Sequence, residues 1–124
     1  MLDSNRVNPP TLIERVGNWL DTWVPDNRHI IAEFTQLAFA AKAAGYHHHG
    51  GQALYEYMRF NRMIKEKRGD YKLNNNNVGM ITRYVMIANP ELEGFFCEKV
   101  ICGVSAEKAK RIFELIMRTR GELV

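Results

Sequence analysis

The sequence predicts a mainly α-helical protein of about five helices, with a short β-hairpin or wing-like arm and a winged helix-turn-helix-like core. Five stretches repeat apolar side chains every three to four residues, which is the spacing of an amphipathic helix. The stretch "GFFCEKVICG" at residues 94–103 instead joins aromatic and β-branched residues between two glycines, which favours a strand or hairpin arm. At 124 residues the chain is large enough for one domain with its own core.

The domain organisation follows from where the helical patterns begin and end. We expect residues 1–10 to form a flexible N-terminus and residues 11–124 a single helical domain, with a core at 27–103 and an appended C-terminal helix at 105–120. The first residues lack a secretion signal, and no apolar run approaches the roughly 18 residues of a membrane span. Two cysteines are too few for a disulfide framework. The sequence therefore predicts a cytoplasmic protein with no membrane partner.

The first half of the chain carries the signals of two helices. Thr11 is placed to cap the first helix, and Pro25 is placed to stop it. Asp26 or Asn27 can cap the second helix, and Gly45 is the expected C-terminal stop. The predicted apolar faces are Leu12, Ile13, Val16, Leu20 and Trp23 in the first helix, and Ile30, Ile31, Phe34, Leu37, Ala38 and Ala41 in the second.

Three more helices are predicted in the second half. The third runs from about Gln52 to Lys67, and the fourth begins near Val78 and ends at Asn89–Pro90. Ser105 is placed to cap the last helix, whose apolar face packs either against the core or against a second copy of the chain. The predicted faces are Leu54, Tyr57, Met58, Asn61 and Ile64 in the third helix, Val78, Ile81, Val85 and Ala88 in the fourth, and Ala109, Ile112, Phe113, Ile116 and Met117 in the last.

The sequence lacks the signatures of an enzyme and of a metal site. It has no phosphate-binding loop, no GxSxG and no HExxH. The adjacent His47, His48 and His49 do not converge easily on one ion, so a polar turn is favoured over a phosphate contact or adventitious metal binding. Nothing in the spacing pairs Cys97 with one of these histidines as nucleophile and base. We therefore predict no catalysis, no cofactor and no metal.

The positive charge is distributed unevenly along the chain. Residues 1–58 carry four basic and six acidic side chains, whereas residues 59–124 carry thirteen basic and eight acidic ones. The net charge is +3 in all. An asymmetry of this size permits an anionic partner such as DNA or RNA but does not require one.

The order of elements in residues 52–103 predicts where such a partner would bind. A helix, a basic turn, a second helix and a strand-like arm follow one another, as in a winged helix-turn-helix whose second helix enters the major groove. Asparagine suits the start of that helix because its amide pairs with adenine, and basic side chains would hold phosphates. The predicted nucleic-acid-binding residues are Asn74, Asn75, Asn76 and Asn77 together with Arg59, Arg62, Lys65, Lys67, Arg68, Lys72 and Arg83.

The same residues have a structural alternative. Asparagine is among the best N-cap residues and tolerates the left-handed backbone of turns, so the run at residues 74–77 can start a helix and do nothing else. The basic helix can likewise be a solvated face, and a protein–protein surface is a third reading.

Residues 54–96 resemble an uncharacterised family of short proteins from phages and prophages. The family pattern has an arginine followed by an aromatic residue, a K-[I/L]-N-N-N run, an arginine in the next helix and P-E-x-x-G-F-F. The matching positions here are Arg59–Phe60, residues 72–76, Arg83, Pro90–Glu91 and residues 94–96. The resemblance covers about residues 27–101, and histidines stand at 47–49 where the family usually has arginines, which weakens the charge of that turn. It implies a phage or mobile-element setting and no activity.

These observations lead to two functional hypotheses. The first is a small phage-type nucleic-acid-binding protein, regulatory in role and able to dimerise on a two-fold site. The alternative is a phage-encoded inhibitor that binds a host defence or replication protein without catalysis. Its surface would centre on aromatic anchors, for which the candidates are Trp19, Trp23, Tyr46, Tyr57 and Tyr71. A minor virion or scaffold component is the least favoured interpretation.

Overall fold

The computed structural model describes residues 11–46, 50–66, 77–96 and 103–123, without the side chains of residues 62–66. Within these residues the chain forms a 3-10 turn at Pro90–Leu92 and five α-helices. The mainly α-helical class is therefore confirmed. None of the described helices combines the length and the apolar character needed to cross a membrane. The helices are α1 (Leu12–Asp26), α2 (Arg28–Ala43), α3 (Gly51–Glu66), α4 (Val78–Ala88) and α5 (Ala106–Thr119).

Two helices begin at the caps that the sequence predicts. The Thr11 hydroxyl accepts a hydrogen bond from the backbone N–H of Glu14 at 3.3 Å, at the start of α1. The Ser105 hydroxyl accepts from the N–H of Lys108 at 3.3 Å, at the start of α5. Each bond satisfies one of the N–H groups that a helix start leaves without an intrahelical partner.

The junction of α1 and α2 differs in detail from the prediction. Pro25 lies inside the last turn of α1, which ends one residue later. Asn27 stands at the N-cap position of α2, but its side-chain amide donates to the carbonyl of Trp23 at 2.7 Å instead of accepting a capping bond. The backbone N–H of Asn27 bonds the Val24 carbonyl at 3.0 Å, so this one residue closes the first helix and opens the second.

Two helices end on glycines with positive φ. Gly45 has a φ of 101°, and the N–H of Tyr46 bonds back to the Ala41 carbonyl at 3.2 Å. Gly121 has a φ of 74°, and the N–H of Glu122 bonds a carbonyl of the last turn of α5 at 2.8 Å. Both are Schellman motifs, which need a residue without a Cβ at this position.

Helix α4 forms the centre of the core. It contacts α2, α3, α5 and the 3-10 turn, so it is covered on several sides. Its buried residues run almost without interruption and include two polar ones, Thr82 and Arg83. The buried residues of α4 are Val78, Met80, Ile81, Thr82, Arg83, Tyr84, Val85 and Met86.

Helix α5 belongs to the same core. It packs against α1 and α4, and Ala109, Phe113, Ile116 and Met117 are buried. The predicted apolar face of this helix therefore packs inside its own chain. A cluster of three aromatic rings links α5 to α1 and α4. The Trp19 ring of α1 lies 6.0 Å from the ring of Tyr84 in α4 and 6.5 Å from that of Phe113 in α5, each edge to face.

The predicted hairpin or wing is not found in the described residues. Phe96 and Val104 each form an isolated bridge, and no strand occurs elsewhere in the described ranges, while residues 97–102 lie outside them. Phe95 and Phe96 are buried, and the ring of Phe96 lies 5.3 Å from that of Phe34 in α2. The aromatic composition of this segment therefore serves core packing, because two phenylalanines fill the core whether or not they belong to a strand.

Candidate binding surfaces

Helix α4 does not have the exposure that a recognition helix needs. A helix that enters the major groove must present the side chains of its first turns to the DNA. Here Val78 and the residues from Met80 to Met86 are buried. The described part of α4 therefore presents no row of exposed side chains to bases, while the predicted roles of Asn74, Asn75 and Asn76 stay predictions.

Asn77 is the one member of the asparagine run within the described residues, and it has an internal partner. Its side-chain Oδ1 accepts a hydrogen bond from Trp19 Nε1 at 3.0 Å. It stands at the N-cap position of α4 but makes no side-chain capping bond there. The Oδ1 of Asn77 thus contacts α1 instead of capping α4, and the predicted base contact of this residue stays a prediction. Asn74, Asn75 and Asn76 lie outside the described residues.

Arg83 is buried, with an exposure of only 3%. Its Nη1 donates to the Gly79 carbonyl at 2.9 Å, one turn back along α4, so the guanidinium folds over its own helix. A buried guanidinium is costly unless it is hydrogen-bonded, which this contact provides in part. The prediction that Arg83 joins the basic side chains at the surface is therefore wrong.

The remaining predicted cations are described only in part. Arg59 is half-exposed on α3, and its Nη1 lies 3.2 Å from Glu56 Oε2. Arg62 and Lys65 lie on the helical backbone of α3, but their side chains are not described. Residues 67–76, and with them Lys67, Arg68 and Lys72, lie outside the described ranges, as do the histidines at 47–49. Their predicted roles stay predictions.

Cations elsewhere on the described surface commonly face carboxylates. Across the fold, Arg28 pairs with Glu122 at 3.0 Å. Lys110 pairs with Glu93 at 2.7 Å, and its hydrogen bond lowers the pKa of that carboxyl. Two further pairs are Arg118–Glu114 at 3.0 Å and Arg120–Asp21 at 2.7 Å.

The sequence shows where positive charge is not offset. Residues 59–72 hold six basic and two acidic side chains, whereas the rest of the chain holds eleven basic and twelve acidic ones. The whole net positive charge of the protein is therefore carried by this one segment. It includes the second half of α3 and the residues that follow it.

Helix α3 also presents an apolar surface to solvent. Tyr57 and Phe60 are each 56% exposed, one turn apart, and Ala53 and Glu56 are exposed beside them. Spacings of three, four and seven residues put these four side chains on one side of the helix. We call Ala53, Glu56, Tyr57 and Phe60 the aromatic face.

The sequence prediction assigned Tyr57 to the wrong side of α3. The buried residues described in this helix are Leu54, Tyr55 and Met58, and Tyr57 lies outside this stripe on the exposed side. Aromatic residues occur at 55, 57 and 60, which span more of the helix circumference than one buried stripe. That excess of aromatic residues was the signal that one side must remain exposed.

The proposed aromatic anchors for a protein partner divide in the same way. Trp19 is buried and stacks on the half-buried Trp23, with ring centroids 5.3 Å apart. Tyr46 and Tyr57 are exposed, and Tyr71 lies outside the described residues. Phe60 is an exposed aromatic residue that the sequence prediction did not include.

Neither a metal centre in the described residues nor a related protein indicates a function for this chain. The described residues hold no group of three or more histidine, cysteine, aspartate or glutamate side chains arranged to bind a metal ion. Comparison of the chain with protein-family models, with curated proteins and with solved structures gives no match.

Proposed function

We propose that this protein binds nucleic acid through the basic segment at residues 59–72, by contacts to phosphates and without catalysis. One observation carries the proposal, which is that this segment holds six basic and two acidic residues while the rest of the chain is close to neutral. Phosphate contacts of lysine and arginine supply most of the affinity of non-specific binding. The resemblance to short phage proteins adds the setting, the cytoplasm of a bacterial host.

Burial of α4 shapes the mode of binding in this proposal. With Arg83 and most of α4 inside the core, no helix face is offered to base edges by that element. Binding therefore depends on charge rather than on sequence, and the same segment accepts duplex or single strands.

The ion pair of Arg59 does not prevent this role. The side chains of Arg59 and Glu56 are 41% and 45% exposed, so water screens their attraction. Exposed pairs of this kind contribute about 0–1 kcal/mol. A phosphate can therefore replace or join the carboxylate at little cost.

A salt titration tests the proposal. Affinity for a 20-base-pair duplex and for a single strand is measured between about 50 and 200 mM salt. Six phosphate contacts would give a logarithmic slope of about −5 on duplex DNA, equal to a loss of roughly a thousandfold over this range. No binding to either strand form at the lowest salt concentration contradicts the proposal.

Paired charge variants show whether the segment is responsible. Lys67→Gln/Arg68→Gln should reduce the steepness of the slope by about two, since each lost phosphate contact removes about one. Lys108→Gln/Arg111→Gln, which removes two cations from the exposed side of α5, is the matched control and should leave the slope unchanged. An equal effect of both pairs would mean that only the net charge of the protein matters.

The exposed aromatic side chains of α3 favour a second candidate, a protein that binds a host protein. Aromatic residues are the usual anchors of protein interfaces, and Tyr57 and Phe60 lie on the surface beside a single balanced pair of charges. A purified host protein that binds the wild type at a defined ratio, and loses this binding with Tyr57→Ser/Phe60→Ser, would support this candidate. Retention of binding by that variant would exclude the face.

A further inference from the structure

We propose that the aromatic face of α3 is the contact between two copies of this chain, with the two α3 helices packed antiparallel about a two-fold axis. This inference does not depend on nucleic-acid binding, because it rests on the described side chains of α3 alone.

The aromatic face differs from the other exposed apolar positions. Ile13 on α1 and Leu115 on α5 are single large apolar residues on their helices, and isolated residues of this kind are normal. Tyr57 and Phe60 instead lie on successive turns of one helix, with Ala53 one turn before Tyr57. This arrangement is a short apolar stripe like those that helices bury against each other.

The charge of the face favours a second copy over a charged partner. Glu56 accepts hydrogen bonds from Gln52 at 3.0 Å and from Arg59 at 3.2 Å, so its carboxylate is held beside an opposite charge of its own helix. Among the side chains that the structure describes, the face and its edge thus carry one negative and one positive charge. A second copy brings the same balanced set, and each cation can approach the other copy's carboxylate.

The shape of the face selects the antiparallel arrangement. In a parallel two-fold pair each residue meets itself, which sets Phe60 against Phe60 and Glu56 against Glu56. An antiparallel pair with its axis midway between Glu56 and Tyr57 sets the small Ala53 against the large Phe60 of the other copy. The same register sets Glu56 against Tyr57, whose hydroxyl can donate to the carboxylate. Size and hydrogen bonding are complementary in this register.

The size of the face predicts a weak dimer. Aromatic side chains bury about 150–250 Å² each when fully covered, and Tyr57 and Phe60 have a little over half of their surface to lose. The two copies together would cover roughly 500 Å² of aromatic surface, well under the 1,200 Å² typical of a stable specific interface. We therefore expect a dimer that dissociates at low micromolar concentrations of the chain.

Analytical ultracentrifugation between about 10 µM and 1 mM tests the inference. The mean mass should rise with concentration from 14.4 kDa towards twice that value. Phe60→Ser should keep the protein monomeric at every concentration, with unchanged helix content by circular dichroism. Leu115→Ser is the matched control, because Leu115 is even more exposed at 66% but lies on α5, and it should dimerise like the wild type.

A size exchange across the interface tests the register. Ala53→Phe places two large rings opposite each other and Phe60→Ala leaves a gap, so each change alone should weaken dimerisation at least tenfold. The double variant restores one large and one small side chain at each contact and should recover most of the affinity. Failure of the double variant to recover would overturn the antiparallel register.

Two outcomes would overturn the proposal as a whole. The first is a wild type that stays monomeric up to 1 mM, which would leave the face to a different protein. The second is a dimer that Leu115→Ser disrupts and Phe60→Ser does not. Neither outcome affects the salt titration, so failure of this inference and failure of the proposed nucleic-acid binding are distinguishable.

Discussion

The contact between the start of α3 and the middle of α4 makes Gly51 the glycine most sensitive to substitution among the described residues. A Cβ at Gly51 would lie 2.5 Å from Cγ2 of Thr82 and 3.6 Å from Cγ1 of Val78. Real Cβ contacts are almost never shorter than 3.0 Å. Thr82 is 5% exposed at the centre of the core, so its methyl group has little room to move. Gly51→Ala must therefore push α3 away from α4.

The expected cost follows from overpacking. An extra methyl group in a tightly packed site costs about 1–3 kcal/mol. Alanine gains up to about 1 kcal/mol over glycine within a helix, but Gly51 is the first residue of α3, where most of that gain is absent. We therefore expect Gly51→Ala to lower the free energy of unfolding by about 1–2 kcal/mol.

Urea denaturation of three variants measures this cost and its cause. Gly50→Ala is the matched control, because a Cβ at Gly50 meets no atom within 4 Å, and its stability should stay within about 0.5 kcal/mol of the wild type. Gly51→Ala/Thr82→Ser removes the methyl group that the new Cβ would strike. It keeps the hydroxyl that bonds the Gly79 carbonyl, so it should be more stable than Gly51→Ala alone.

Two results would refute this reasoning. One is a Gly51→Ala protein as stable as Gly50→Ala, which would mean that α3 and α4 adjust their separation freely. The other is a double variant whose cost equals the sum of the single costs. Additive costs would show that the two sites do not interact, since contacting residues usually couple by 0.5–3 kcal/mol.

Three further predictions concern contacts that position the helices. Asn77→Ala should cost about 1–2 kcal/mol, because the Trp19 indole N–H loses its acceptor, and faster hydrogen exchange of that indole by NMR would report the loss. Lys110 lowers the pKa of Glu93, so the pair stabilises the fold above the ordinary carboxyl pKa of about 4.5 and loses this effect as pH falls through the lowered value. NMR titration should therefore show a higher Glu93 midpoint in Lys110→Gln. Gly121→Ala should cost about 1 kcal/mol in thermal unfolding, because a φ of 74° disfavours any residue with a Cβ.

The helix boundaries were predictable because their signals are local. Thr11 and Ser105 each bond an N–H three residues ahead, and Gly45 adopts the positive φ that its position requires. These interactions involve neighbours in sequence, so residue type and spacing are enough to predict them. The mainly helical class followed from the same local periodicity.

The candidate site was less predictable because its determinants are not local. Asn77 bonds Trp19 across 58 positions of sequence, and no cap or turn rule contains that contact. Arg83 looks like a surface residue by type, yet the packing of α2, α3 and α5 around α4 encloses it. The sequence prediction placed Tyr57 instead of Tyr55 on the buried side of α3. The two side chains are chemically identical, so only their neighbours in space decide which one is buried.

Dimerisation through the aromatic face and nucleic-acid binding through residues 59–72 can be tested together. In the antiparallel pair, the two α3 helices end at Glu66 about 29 Å apart along the axis, at a rise of 1.5 Å per residue. Successive major grooves on one side of B-DNA are about 34 Å apart. The basic residues that follow α3 would therefore start about one turn of DNA apart on a dimer.

Phe60→Ser should then weaken binding to long duplexes by removing the second contact, while the salt slope for each chain stays the same. Lys67→Gln/Arg68→Gln should do the reverse, lowering the slope without changing dimerisation, because neither residue belongs to the aromatic face.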